Sequence, residues 1–178
     1  TGHFNGLGHT ITNLTINRPV GTPGGTATNV GLFGVLGKTN VATVSNVDLV
    51  NASIVGGTNV GGMVGNVLNG TISNSYVTGN VTGNNTNAST YVGGLAGYIT
   101  TGTVSNSYAT ASVTGNLTDT SAISYSNNVG GLVGYNAGTV SNSYATGSVT
   151  GNLTGTLTVT YNNNVGGLIG TNAGTVSN

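Results

Sequence analysis

The chain repeats itself, and the repeat restricts the fold more than any other feature. "VGGLVGYNAGTVSNSYATGSVTGN" begins at Val129 and starts again at Val165 as "VGGLIGTNAGTVSN". Earlier copies open at Val92 ("VGGLAGYITTGTVSNSYATASVTGNLTD") and Val60 ("VGGMVGNVLNGTISNSYVTGNVTGNN"). A degenerate copy, "VGLFGVLGKTNVATVSNVDLV", opens at Val30. Successive starts therefore lie 30, 32, 37 and 36 residues apart. The length differences fall after "SVTGN", in Thr- and Asn-rich stretches such as Leu117 to Asn127. A shared core with variable loops on one side is the pattern of a solenoid, in which each unit buries its apolar surface only against its neighbours.

Helix is a poor choice for such a unit, because Gly, Thr, Val and Asn are weak helix formers. In "VGGLVG", Val129, Gly131 and Val133 are expected on one face and Gly130, Leu132 and Gly134 on the other, the period of a strand. Short strands punctuated by Gly and Asn, with a core of rung length from Val129 to Gly151, predict an all-β right-handed parallel β-helix. About five to six rungs are expected, one per repeat of 28–37 residues. Residues 1–178 read as a single β-helix segment of a longer chain, with 1–28 a divergent first rung and 29–178 the repeats.

Equivalent strands stacked about 4.8 Å apart place like residues over like. An Asn holds one register at Asn13, Asn46, Asn74, Asn106, Asn142 and Asn178. Two residues before each stands a β-branched residue: Ile11, Val44, Ile72, Val104, Val140 and Val176. This column is expected to form a structural ladder of stacked amides in a turn.

These residues carry a family resemblance. "GG-L-x-G" followed by "GT-V-SNSY-A-T-G-x-V-T-G" resembles the GLUG-type repeat of large bacterial surface proteins. "FNGLGHTITNLTI" (Phe4 to Ile16) is similar to the rung that precedes such repeats in filamentous-haemagglutinin-like adhesins. The resemblance implies export, a cell-surface or extracellular location, and a part in adhesion or biofilm matrix.

Composition excludes several other roles. Charged residues are 2% of the chain: Arg18, Lys38, Asp48 and Asp119. Two basic residues cannot neutralise a nucleic-acid backbone or hold an anionic membrane surface, and no apolar run is long enough for a spanning helix. Neither nucleic acid nor membrane insertion is expected. Cysteine is absent, so no disulfide or thiolate chemistry arises. Glycosidase chemistry needs paired carboxylates. Asp48 aligns with Tyr76, and Asp119 falls in a loop insertion two repeats later, where both read as solvated surface carboxylates. His3 and His9 have no ligand partners near them. "GLFGVLGKT" (Gly31 to Thr39) fails as a phosphate-binding loop, because Leu32 stands where its first glycine must be. No enzyme activity, catalytic residue, metal or cofactor is expected.

Seven of the eight tyrosines fall in aligned sets: Tyr76, Tyr108 and Tyr144; Tyr98 and Tyr135; Tyr125 and Tyr161. The plainer meaning is an aromatic ladder that shields the strands. The sharper one is a platform for sugar rings, for which Tyr98 and Tyr135 are the candidate contacts with extracellular polysaccharide or host and cell-surface glycans. Eight sequons (Asn13, Asn51, Asn69, Asn80, Asn84, Asn87, Asn116 and Asn152) are no more than the Asn and Thr content provides.

The favoured function is a structural and adhesive extracellular fibre segment. The alternative is a self-assembling filament or sheath subunit that associates end to end or laterally. Ice binding by a flat Thr array ranks lower, because "TLTVT" (Thr156 to Thr160) is not repeated at equal spacing and loop lengths vary.

Overall fold

A computed structural model describes residues 2–18, 27–155 and 160–178. "TLTVT" lies outside these residues except for Thr160, and the expected divergent first rung, 1–28, falls on them only in part.

The described residues form a parallel β-solenoid of about five turns, with strands and no helix. One coil illustrates the course. Thr90–Gly93 lies in a four-stranded sheet, and Ala96–Ile99 follows in a five-stranded sheet. Thr103–Ser105, Tyr108–Ala109 and Ser112–Asp119 then run through a long third sheet of twelve strands. Ser126–Gly130 returns the chain to the four-stranded sheet, one coil on. Like pairs with like: Val104 lies between Ile72 and Val140, Tyr108 between Tyr76 and Tyr144, and Val113 between Val81 and Val149.

The core is a set of aliphatic columns through the coil axis. Val44, Ile72, Val104 and Val140 form one, and Met63, Leu95 and Leu132 mark another, all at most 1% exposed. Each such side chain contributes about 1.5–3 kcal/mol on burial, and that contribution depends on the coil above and below.

The glycine signature does not alternate as expected. Residues 129–134 are all buried, because "VGGLVG" is the corner between two sheets and not a continuous strand. The corner is tight enough to press backbone against backbone. A Cβ at Gly134 would stand 2.5 Å from the backbone nitrogen of Val92, and one at Gly97 would stand 2.5 Å from that of Val60. The glycines recur because no side chain fits there.

The first coil is irregular in a way that shifts its register. His3–Asn5 pairs with Thr43–Ser45, whereas His9–Thr12 pairs with Val47–Val50, so the first coil carries a bulge between them. Leu7 and Gly8 occupy it with φ of 54° and 76°. Phe4, and not Ile11, is therefore the neighbour of Val44.

Candidate functional site

The asparagine column is a conformational device. Ser45, Ser73, Ser105, Ser141 and Ser177 stack in register, which places Asn46, Asn74, Asn106, Asn142 and Asn178 at the following position. Asn46, Asn74, Asn106 and Asn142 have φ between 45° and 54°. Asn is the side chain that takes this left-handed turn most readily after glycine. The expected ladder of stacked amides is absent from Asn74 to Asn142 among the described residues. Asn46 donates out of the column to Asn5, which pairs with Ser45, at 2.9 Å. Asn13 does not belong to the column: the bulge moves it to another turn, where it accepts from Asn51 Nδ2 at 2.7 Å.

The serine after each turn does more. Ser75 and Ser107 are buried. Each hydroxyl donates within its own coil, Ser75 to the Ser73 carbonyl and Ser107 to the Ser105 carbonyl, both at 2.8 Å. Each also accepts a backbone N–H from the preceding coil, Ser75 from Val47 (3.1 Å) and Ser107 from Ser75 (3.2 Å). Sequence reasoning passed over this serine. Its recurrence in "SNSY" was the available signal.

The amide ladders lie elsewhere. On the long sheet, Asn116 donates to Asn84 (2.7 Å) and Asn152 to Asn116 (2.8 Å). In the coil interior Asn127 donates to Asn163 (3.0 Å), and on the corner strand Asn136 donates to Asn172 (2.8 Å).

Both tyrosine columns are stacked ring on ring. Tyr76–Tyr108 and Tyr108–Tyr144 have centroids 4.7 and 4.9 Å apart with planes within 8°. Tyr98 and Tyr135 stack at 4.8 Å and 7°, and Tyr91 meets both edge-on at 5.1 and 5.9 Å. The faces toward each other are used within the ladder, so edges and hydroxyls are what the columns present. Asn66 precedes Tyr98 in this column and Thr171 follows Tyr135. Burial, and then the neighbouring Tyr135 and Tyr91, hold the Tyr98 phenol above its ordinary value of 10.0. Burial, Tyr76, Tyr144 and Asp48 act on Tyr108 in the same direction.

The two carboxylates are not brought together. Asp48 is half-buried and pairs with Tyr76 in the outward tyrosine column. Asp119 is fully buried, contrary to the expectation of a solvated loop residue. It ends the strand Ser112–Asp119, where alternation after Val113, Gly115 and Leu117 turns it inward. Its Oδ1 accepts from the backbone N–H (2.9 Å) and hydroxyl (2.8 Å) of Ser121. Among the described residues no group of three His, Cys, Asp or Glu could hold a metal. His3 is spent on a 2.9 Å contact with Thr43.

Residues 56–82, 88–114 and 125–150 match the family model described as the GLUG motif. Three coils of this chain are GLUG motifs. Each GLUG match ends at Thr82, Thr114 or Thr150, which stack on one another in the long sheet, so each covers close to one coil. Halomucin from Haloquadratum walsbyi (strain DSM 16790 / HBSQ001) is 48% identical over 85 residues, which are 48% of this chain and 1% of halomucin. This chain thus matches a very small part of a far longer relative. A crystal structure of a "putative immunoglobulin A1 protease" from Bacteroides ovatus superposes with a TM-score of 0.65 at 23% identity. It covers 97% of this chain and 47% of the other, and the likeness is one of fold alone. No helix among the described residues is long and apolar enough to cross a membrane.

Proposed function

We propose that this chain is a spacer segment of a large extracellular surface protein, with a mechanical and adhesive role in place of a catalytic one. The observation that carries the proposal is the stack of near-neutral coils, three of which match the GLUG motif, with like residues in register from the second coil onward along most of each strand. Backbone hydrogen bonds run along its axis, and like residues repeat from coil to coil. Parallel strands joined along a fibre axis resist bending and extension, and a surface with so few charges responds little to ionic strength outside a cell. The match to a short part of halomucin supports membership of a very long chain. Glycans are the contacts this role calls for, with Tyr98, Tyr135 and Tyr91 offering hydroxyls and ring edges at one corner.

Antibodies raised against the segment test the proposal on cells that encode it. Labelling of intact, unpermeabilised cells is expected. Labelling that appears only after lysis would overturn it.

A further inference from the structure

The outward face of the long sheet carries a regular two-dimensional array. Asn80, Thr82, Asn84 and Thr86 point outward on one strand, Ser112, Thr114, Asn116 and Thr118 on the next, and Ser148, Thr150, Asn152 and Thr154 on the third. The strands pair residue for residue with no register shift. Between these positions Val81 and Val113 turn inward with Leu117. Thr-Gly-Asn-x-Thr therefore recurs as Thr82–Thr86, Thr114–Thr118 and Thr150–Thr154. Strand geometry sets the array at about 4.8 Å between rows and about 6.7 Å along each strand.

The array is also stiff. Its central column is the Asn84–Asn116–Asn152 amide ladder, with donor–acceptor distances of 2.7 and 2.8 Å. Ser148 donates to Ser112 at 3.1 Å. Threonine is β-branched and restricted at χ1, so the flanking columns have little rotamer freedom to lose. Variable loop length does not disturb this face, because the loops begin beyond Thr86, Asp119 and Gly155. The objection drawn from sequence, that unequal loops preclude a flat threonine face, does not hold for this sheet.

We infer that this Thr/Asn face binds ice. A ligand matched to it must be periodic in two dimensions, uncharged, and able to meet methyl and hydroxyl groups side by side. The surface of an ice crystal meets all three requirements. Charge complementarity agrees, since none of the twelve array positions is ionisable and ice is neutral. A single polysaccharide chain is periodic in one dimension and favours aromatic rings, and the twelve array positions carry none, the Tyr76–Tyr108–Tyr144 column lying beyond the Asn80, Ser112 and Ser148 edge. A charged mineral would need carboxylates. The inference extends beyond the spacer role and does not depend on it.

The test is partition of the 178-residue chain into a slowly growing ice front, with crystal habit viewed alongside. The chain is expected to concentrate in the ice and to facet the crystals. Thr114→Tyr with Thr118→Tyr should lose both effects while the β signal in circular dichroism and the melting temperature stay unchanged. Thr175→Tyr, on another stretch of the coil, should keep both. If the tyrosine pair fails to fold, Thr118→Lys at an exposed position carries the same test. Exclusion of the parent chain from ice would overturn the inference. So would equal loss in Thr175→Tyr, or array-dependent binding to insoluble cellulose or chitin without incorporation into ice.

Discussion

The backbone N–H of Ser75 donates to the hydroxyl of Ser107, 3.2 Å away in the following coil. That hydroxyl in turn donates to the Ser105 carbonyl. One buried side chain thus joins two coils at the turn where strand pairing is interrupted. Ser107→Ala leaves the Ser75 N–H without a partner, while the Ser105 carbonyl keeps the Asn74 N–H, at a cost of about 1–3 kcal/mol. Urea denaturation should show that loss, while Ser148→Ala at an exposed position should leave the midpoint close to the parent.

Asn106 separates two explanations of the recurring asparagine. If the left-handed turn is the reason, with φ of 47°, Asn106→Ala costs about 1–2 kcal/mol. Asn106→Gly then stays near the parent, because glycine takes positive φ freely. A glycine variant as unstable as the alanine one would restore the side-chain ladder.

Two glycines of the repeated signature should behave alike. A methyl at Gly134 meets the Val92 backbone nitrogen at 2.5 Å, and one at Gly97 meets the Val60 backbone nitrogen at 2.5 Å. Gly134→Ala and Gly97→Ala are each expected to lose at least the roughly 1–3 kcal/mol typical of overpacking, and a variant that melts with the parent would contradict the crowded corner. Melting temperatures of the two variants decide it.

The tyrosine corner sets an alkaline limit. Tyr98 is held above its ordinary value of 10.0 in the folded chain by burial and by Tyr135 and Tyr91. In the unfolded chain it returns to that value, so folded Tyr98 keeps its proton when the unfolded one has lost it. The stability it contributes is complete below pH 10 and falls as pH rises further. Phenolate absorbance should show Tyr98 and Tyr108 titrating late, and Tyr98→Phe should remove one of the two.

Much of this arrangement was legible because register is countable. The spacing of Tyr76, Tyr108 and Tyr144, the Tyr98–Tyr135 pair and the alignment of Asp48 with Tyr76 all follow from laying repeats over one another, and the coordinates place them so. What escaped was local geometry. Strand alternation was carried through "VGGLVG" although backbone crowding there makes a corner. Asn13 was placed by counting across a bulge that only the Leu7 and Gly8 backbone reveals. Asp119 was assigned to a loop, whereas the parity of its strand turns it inward. The Asn84–Asn116–Asn152 ladder was in view as "TGN" at one register in three repeats, but an outward amide shows its value only beside its neighbours.

Coil-on-coil register is the claim beneath all of this, and engineered disulfides measure it directly because the chain has no cysteine of its own. Ser112 and Ser148 are stacked neighbours with hydroxyls 3.1 Å apart, and in-register Cα atoms about 4.8 Å apart fall inside the roughly 4.4–6.8 Å span of a disulfide. Ser112→Cys with Ser148→Cys should oxidise to an intramolecular bridge under mild conditions. Ser112→Cys with Thr150→Cys, a diagonal pair at about 7–8 Å, should not. Equal bridging in both pairs, or none in the first, would contradict the stacked coil.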